Sequence, residues 1–373
     1  MMSLPRRVLG RTGLEVSSVC AGCAPLGDMP EAFGYRVPEE QALATLRAIF
    51  SSPITFLDTA AAYGDGESER RIGIVLRELG GLPPGYVLAT KADRDLATGR
   101  FDAKQVHRSV QRSLRLLGLE RLQLVYFHDP EHAGLSVAEA MAPGGPVEAL
   151  LALRDAGVIE HVGVAAGPID MLIAYIETGV FEVVITHNRY TLLNRTAEPL
   201  IQRANELGVA VVNAAPYGSG LLAKGPSAFS RYAYREARPD EIERARTIEA
   251  VCAQYGVPLA AAALQFSLRD PRISATIVGM SRPERVTQTI QFATWPIPDA
   301  LWDELNQVEP LPYDPQTGQL VATGEGGSED ADRRRADHWH ARPLLGDRAV
   351  RSLLDDTRPG RAARPIAAEL HAG

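Results

Sequence analysis

Four ionisable side chains within the first 128 residues are placed where they could act together. Asp58, Lys91 and His128 each end an apolar segment, and Tyr63 follows Asp58 by five residues. The chain has 36 arginines and only three lysines. Because an ammonium is compact and its pKa responds to burial, a lysine kept at the end of an apolar segment suggests a role that arginine cannot fill.

A phenol beside an ammonium can exchange a proton with an alcohol or carbonyl oxygen. The ordinary pKa of tyrosine is about 10; we expect Lys91 to lower the pKa of Tyr63 while Asp58 holds the ammonium in place. His128 can hydrogen-bond the same substrate oxygen. This set suits carbonyl–alcohol interconversion, and because no side chain carries a hydride, it implies a nicotinamide cofactor.

Each of these residues also has a simpler interpretation. An Asp at a strand end usually caps a helix or turn, and Tyr63 precedes a glycine-rich turn sequence. A single His is more often structural, and a Lys beside an Asp can be only an ion pair. Their joint occurrence at the ends of consecutive apolar segments favours an active site.

The elements that must position these residues alternate between strand-like and helix-like patterns, which predicts a parallel α/β fold. A short N-terminal β-hairpin is predicted over 6–9 and 14–16. The predicted strands are 17–22, 55–58, 86–91, 122–128, 161–165, 183–187, 210–214 and 275–279. Helical patterns lie between them, including 38–50, 67–79, 103–117, 147–156, 240–255 and 258–268.

Eight strand–helix pairs over about 300 residues predict a (β/α)₈ TIM barrel, in which all strand ends converge on one mouth. The four residues would then meet over one substrate atom. A doubly wound open sheet is the alternative. It is disfavoured because no glycine-rich phosphate loop follows the first strand.

Composition indicates a globular protein with an ordinary charge balance. Of 373 residues, 45% are apolar and 23% charged, with a net charge of −7, which favours neither nucleic acid nor an anionic membrane surface as a partner. No apolar run reaches the roughly 18 residues of a membrane span, and the N-terminus lacks the apolar core of a signal peptide. We therefore expect a cytoplasmic protein.

The remaining motifs predict no metal or redox chemistry. Cys20 and Cys23 form a C-x-x-C pair, but they end a predicted strand instead of opening a helix, so we expect packed, reduced thiols. Residues 314–373 are rich in Gly, Asp and Arg and predict a largely disordered tail after a barrel domain of residues 1–313. His338 and His340 in that tail are not expected to bind metal.

Several segments resemble the aldo-keto reductase superfamily. They are 56–64, 88–91, 122–128, 216–222 and 277–286. The resemblance covers roughly residues 5–310. It implies that Tyr63 is the general acid/base, that Lys91 and Asp58 tune it, and that His128 orients the substrate.

Three departures from the family pattern concern the nicotinamide. Ala165 and Ala166 stand where the family commonly has Ser-Asn, and His187 replaces the usual Gln at the end of strand six. Ala214 stands where an aromatic residue often stacks on nicotinamide. The resemblance therefore implies that His187 or Asn188 contacts the carboxamide.

These departures resemble one branch of the superfamily, the aldose 1-dehydrogenases, which include L-fucose and D-threo-aldose dehydrogenases with pyridoxal 4-dehydrogenase nearby. Segments 186–193, 212–220 and 258–266 carry this resemblance. It implies oxidation of a cyclic hemiacetal to a lactone, with Tyr63 as the base. Two alternatives stay open: an NADPH-dependent aldehyde or ketone reductase, and a nicotinamide-sensing regulatory subunit that binds a protein partner.

The expected cofactor is NAD or NADP. Residues expected to contact it are Gly22, Asp58, His187, Asn188, Tyr217, Ser219, Gly279, Ser281, Arg282 and Arg285. A 2′-phosphate usually requires a cation; Met280 and Ser281 follow the strand-eight glycine here, which favours NAD, although Arg282 could reach a phosphate. The substrate is expected to be a small carbonyl or hemiacetal compound bound by loops 24–36, 129–145 and 222–238. Its identity and the oligomeric state stay open.

Overall fold

The computed structural model describes residues 3–321, which form a closed barrel of eight parallel strands. The strands are paired in chain order, and the last pairs with the first. They are β1 (Val19–Gly22), β2 (Phe56–Asp58), β3 (Val87–Ala92), β4 (Leu122–His128), β5 (Ile159–Ala165), β6 (Val183–His187), β7 (Ala210–Ala214) and β8 (Ile273–Gly279). The predicted TIM barrel is confirmed, and the open sheet is excluded because the barrel closes.

Helices surround the barrel. The longer ones are α1 (Glu39–Phe50), α2 (Glu67–Leu79), α3 (Ala103–Leu117), α4 (Pro146–Asp155), α5 (Ile169–Glu177), α6 (Glu198–Glu206), α7 (Pro239–Gln254), α8 (Leu259–Leu268), α9 (Pro283–Ala293) and α10 (Asp299–Asn306). Short helical turns at Pro30–Phe33, Val137–Met141 and Leu221–Lys224 lie in loops. Within residues 3–321, no single helix is long and apolar enough to span a membrane. Helices α7 and α8 reach that length and apolar composition only together, and they are bent by 98° at their junction.

Helix α3 illustrates why these segments fold as they do. The Asp102 side chain accepts a hydrogen bond from the backbone N–H of Gln105 and so caps the first turn. Gly118 ends the helix with a φ of 70°, a conformation that glycine adopts without a Cβ clash. Val106 and Val110, one turn apart, are buried against the barrel.

Two hairpins accompany the barrel. Arg6–Val8 pairs with Glu15–Ser17, as predicted, and Leu9 belongs to the apolar cluster inside the barrel. A second hairpin, Arg231–Tyr232 with Arg235–Glu236, lies in the loop after β7, where the sequence predicted no strand.

Strand register explains why the predicted catalytic residues face the barrel interior. Phe56, Ala89 and Tyr126 belong to the interior cluster. Since side chains along a strand alternate between faces, residues two positions further on point the same way. Asp58 and Lys91 follow Phe56 and Ala89 at that spacing, and His128 likewise follows Tyr126.

The described chain continues past the predicted start of the tail. Leu311 and Tyr313 are buried in an apolar cluster with α7, α8 and α10, and residues 314–321 continue from them. The predicted division of the chain at 313/314 stays a prediction. Most of the predicted tail, including His338 and His340, lies outside the described residues.

Cys20 and Cys23 are buried and unpaired. Burial raises the pKa of both thiols, with nearby Asp58 adding to the rise. This agrees with packed thiols and not with a reactive thiolate.

Candidate active site

A buried ion pair lies at the mouth of the barrel. Lys91 Nζ donates to Asp58 Oδ1 at 2.6 Å and to the Thr59 carbonyl at 2.7 Å, and the two charged side chains are 2% and 4% exposed. Burial acts to lower the pKa of Lys91, but Asp58 and Tyr63 outweigh it and raise the pKa above its ordinary value. The ammonium is therefore a fixed positive charge at neutral pH.

Tyr63 lies in the loop after β2, directly beside this ion pair. Lys91 Nζ is 4.7 Å from the Tyr63 ring centroid, and the His128 ring lies edge-on, with centroids 6.1 Å apart at 86°. The structure thus brings the acid, phenol, amine and imidazole together. It also corrects one expectation: burial raises the net pKa of Tyr63, and the opposing effect of Lys91 is smaller.

Asp93, a residue that the sequence interpretation missed, is hydrogen-bonded to the His128 imidazole. Asp93 Oδ1 lies 2.6 Å from His128 Nδ1, and its Oδ2 accepts the backbone N–H of Ala62 at 2.8 Å. Asp93 therefore ties the imidazole to the loop that carries Tyr63. A signal was present in the sequence, because Asp93 follows Lys91 by two residues and shares its inward direction.

A second carboxylate approaches the other nitrogen of His128. Asp129 Oδ2 is 3.4 Å from His128 Nε2 and 3.5 Å from His132 Nδ1. Burial acts to lower the pKa of His128, but Asp129 and Asp93 together raise it above its ordinary value. The imidazole thus lies between two carboxylates that favour its charged form.

Apart from His187, the ends of β5 and β6 carry apolar and amide side chains, whereas the ends of β2, β3 and β4 carry ionisable ones. Ala165 and Ala166 are buried and offer no side-chain hydrogen bond. Asn188 is fully buried with a φ of 60°, and the Tyr234 phenol approaches it. Within residues 3–321, however, neither its Nδ2 nor its Oδ1 has a partner at hydrogen-bonding geometry. An unpaired buried amide costs free energy unless a ligand satisfies it, and its donor and acceptor match those of a carboxamide.

His187 at the end of β6 is held by residues far along the chain. Its Nε2 lies 3.1 Å from Gln316 Nε2, and Arg189 lies between it and Asp314. Burial, followed by the positive charge of Arg189, lowers the pKa of His187 to about 4. Sequence interpretation identified His187 but missed Gln316, which it assigned to the tail.

The other predicted cofactor residues form a second group at the ends of β1 and β8. Gly22 pairs with Gly279, and a Cβ at Gly22 would stand 2.8 Å from the Ile277 side chain. Such close approach requires glycine at Gly22. Ser281 follows β8, and its carbonyl accepts from Gln41 Nε2 at 2.7 Å.

Three cations lie beside this second group. Burial, followed by the charges of Arg285 and Arg282, lowers the pKa of Lys224. Arg285 also faces Tyr217, where it opposes the rise in phenol pKa that burial causes. Lys224, which the sequence interpretation did not select, thus joins two of the expected residues in a site suited to an anion.

Two tyrosines in the loop between β7 and α7 differ in their exposure to solvent. Tyr232 is fully buried and packs in the core, whereas Tyr234 is 43% exposed. The Ser219 hydroxyl accepts the backbone N–H of Tyr234 at 2.8 Å, so Ser219 fixes this loop.

Most of the described chain matches a known protein family. The model of the aldo/keto reductase family matches residues 19–310. A D-threo-aldose 1-dehydrogenase from a Pseudomonas species is 31% identical, and the match covers 83% of this chain and 99% of that protein. A pyridoxal 4-dehydrogenase from Microbacterium luteolum is also 31% identical, over 80% of this chain and 96% of that protein. Both belong to the branch that the sequence segments resembled.

A solved structure has the same fold. An aldo-keto reductase from Bacillus halodurans, in its holo form, superposes with a TM-score of 0.67 over 86% of this chain and 99% of that chain. The two sequences are 20% identical, so the likeness concerns the fold alone.

Proposed function

This chain belongs to the aldo/keto reductase family and is an NAD(P)-dependent oxidoreductase, and we propose that it oxidises a cyclic hemiacetal, such as an aldose, to a lactone. The observation that carries the proposal is the buried Asp58–Lys91 pair directly beside Tyr63. In the reaction the hemiacetal carbon loses a hydride and its hydroxyl loses a proton. A bound nicotinamide cofactor would supply the hydride acceptor.

Tyr63 is proposed to take the hydroxyl proton. Because burial raises its pKa, the phenol needs help to become a base. The phenol first releases its own proton to solvent at the mouth of the barrel. Lys91 supplies a fixed positive charge beside the ring and stabilises the resulting phenolate, which then takes the hydroxyl proton and returns to the neutral phenol. Asp58 keeps that ammonium in place, and His128, aimed by Asp93, holds the reacting oxygen.

Two parts of the mouth are proposed to bind the cofactor. The unpaired amide of Asn188 and the imidazole of His187 suit the carboxamide of nicotinamide. Arg282, Arg285 and Lys224 suit the diphosphate, which NAD and NADP share. We retain NAD as the favoured cofactor; fluorescence titration with NADH and NADPH tests this, and clearly tighter binding of NADPH would reverse it.

The direction and the substrate class rest on the similar proteins. The two curated relatives are named as dehydrogenases of D-threo-aldose and of pyridoxal, each a compound that can form a cyclic hemiacetal. We propose for this chain a small-molecule substrate, bound by the loops after β1, β4 and β7. The cytoplasmic location stays a prediction.

The test is a substrate panel assayed in both directions. Aldoses, pyridoxal and simple aldehydes would each be incubated with both nucleotides, with absorbance reporting the reduced cofactor and mass spectrometry the lactone. We expect lactone formation from at least one hemiacetal. Efficient aldehyde reduction with no oxidation of any hemiacetal would instead favour the reductase alternative.

A further inference from the structure

The segment after Tyr313 forms a built part of the barrel mouth. Asp314 Oδ1 accepts the backbone N–H groups of Gln316 at 3.0 Å and Thr317 at 2.8 Å. The Asp314 N–H donates to the Gln319 carbonyl at 2.8 Å. These bonds close a turn that fixes the position of Gln316.

Arg189 joins this turn to the end of β6. Its Nε donates to Asp314 Oδ2 at 2.6 Å, its Nη2 to Gln316 Oε1 at 2.9 Å and its Nη1 to the His187 carbonyl at 3.3 Å. Only 2% of the Arg189 side chain is exposed. Since a guanidinium can only donate hydrogen bonds, the amide of Gln316 must direct its oxygen at Arg189.

This amide orientation decides where His187 carries its proton. With the oxygen directed at Arg189, the NH₂ group of Gln316 faces His187 Nε2 at 3.1 Å. An amide NH₂ only donates, so Nε2 must accept, and a neutral imidazole then has its proton on Nδ1. Among residues 3–321 no hydrogen-bond acceptor pairs with that Nδ1. The low pKa of His187 keeps the ring neutral at physiological pH.

We infer that Gln316 is a positioning residue which, through Arg189 and Asp314, holds His187 as the Nδ1–H tautomer that donates to the carbonyl oxygen of the nicotinamide carboxamide. The inference rests on the proposed function, because it assigns an atom and a proton to a contact proposed there.

The location of Gln316 agrees with this role. A Cβ at Gly167 would stand 3.3 Å from Gln316 Oε1, so the amide lies over the end of β5. Gly167 directly follows Ala165 and Ala166, which have no polar side chain for a cofactor. Gln316, near the end of the described chain, thus places a polar side chain at the part of the mouth where the end of β5 is apolar.

The tautomer can be measured without substrate or cofactor. Nitrogen-15 NMR of histidine-labelled enzyme separates the Nδ1–H and Nε2–H tautomers of neutral imidazole, and His187→Gln identifies the His187 signal among eight histidines. We expect Nδ1–H in the wild type and a mixture in Gln316→Ala. An Nε2–H tautomer in the wild type would overturn the inference.

Cofactor binding gives the second readout, by fluorescence titration with NADH and NADPH. Gln316→Ala should weaken binding about 3- to 10-fold, the loss expected for one hydrogen bond. The matched control is Gln319→Ala, three residues further on, whose side chain is exposed. Unchanged binding in Gln316→Ala relative to Gln319→Ala contradicts the inference.

Gln316→Glu separates positioning from simple packing. One carboxylate oxygen would pair with Arg189, and the other would require an N–H at His187 Nε2. This removes the proton from Nδ1 in the neutral ring, so cofactor binding should weaken as pH rises and recover when the ring is protonated. A packing role predicts no such pH dependence.

The pH comparison must account for the groups that face His187. These are Arg189, Asp129, His128 and Asp314. Because these groups are present in every variant, each affinity is divided by that of Gln319→Ala at the same pH. If the tautomer and cofactor results hold but no hemiacetal is oxidised, the proposed substrate class fails and the role of Gln316 stands.

Discussion

Two imidazoles at the same barrel mouth lie in opposite electrostatic surroundings. His128, at the end of β4, lies between Asp93 and Asp129, which raise its pKa against the effect of burial. His187, at the end of β6, lies beside Arg189, and burial with that charge lowers its pKa to about 4. One ring is suited to carry charge toward a reacting oxygen, whereas the other is kept neutral.

The two sides also differ in how the chain builds them. The His128 side is built from the ends of consecutive strands. Asp58, Tyr63, Lys91 and His128 all lie within one stretch of 71 residues. The side with His187 is completed by a turn more than 120 residues away, through Gln316. The residues proposed for proton transfer are thus brought together by local strand order, and those proposed for cofactor binding by a distant segment.

The largest effect should come from removing the proton acceptor. Tyr63→Phe keeps the ring but removes the hydroxyl, so kcat should fall about 10³-fold, within the range for general acid–base groups. NADH affinity should change little. Steady-state kinetics and fluorescence titration measure the two quantities.

The control for this variant is Tyr255→Phe, directly after the end of α7, which should retain wild-type kcat. If Tyr63→Phe retained turnover, the acid–base assignment would be wrong.

The next largest effect should come from the charge beside the phenol. Lys91→Arg places a larger, flat cation in a fully buried position, so we expect about a 10²-fold loss of kcat. Lys91→Met leaves Asp58 buried and unpaired, which should cost about 3–5 kcal/mol of unfolding free energy. Urea unfolding and kinetics together separate the two effects.

Matched controls sharpen this result. Lys104→Arg, on the exposed face of α3, should change neither quantity. In the double variant Asp58→Asn, Lys91→Met, most of the lost stability should return while turnover stays low. Failure to recover stability would show that lost packing, not the unpaired carboxylate, causes the destabilisation.

The difference between the two sides determines what sequence could predict. Asp58, Lys91 and His128 are recognisable because strand alternation and strand order bring them to one point. Asp93 follows the same alternation and could have been selected. Gln316 could not, because nothing local in 314–321 indicates that it reaches β6.

Burial also limited the prediction of pKa values. The pair of Lys91 and Tyr63 indicates a lowered phenol pKa, but the net direction depends on how much water the folded mouth excludes. That quantity is set by loops whose packing the sequence pattern does not specify.

Opposite pH dependence of stability should distinguish the two imidazoles. His187 has a folded pKa below its unfolded value of about 6.5, so its contribution is present above pH 6.5 and is lost as pH falls toward 4. Between pH 7 and 5 this loss should be about 2 kcal/mol. His128 has a raised folded pKa, so its contribution is present below about pH 6.5 and is lost as pH rises.

Urea unfolding at pH 5 and pH 8 measures these contributions. His187→Gln should reduce the loss of stability at pH 5, and His128→Gln should reduce the loss at higher pH. Each variant is the control for the other. If the free energy of unfolding changed with pH in the same way in both variants, the two environments would not be electrostatically opposite.

The smallest effect should come from crowding the distant segment that completes the β6 side. In Gly167→Ala the new Cβ would stand 3.1 Å from Glu131 Oε1 and 3.3 Å from Gln316 Oε1, so these side chains must shift by a few tenths of an ångström. We expect about 1 kcal/mol of lost cofactor affinity with kcat nearly unchanged. A double-mutant cycle with Gln316→Ala assigns the cause, because the two losses should not add if Gly167 acts through Gln316. Additive losses would mean that the space at Gly167 serves Glu131 instead.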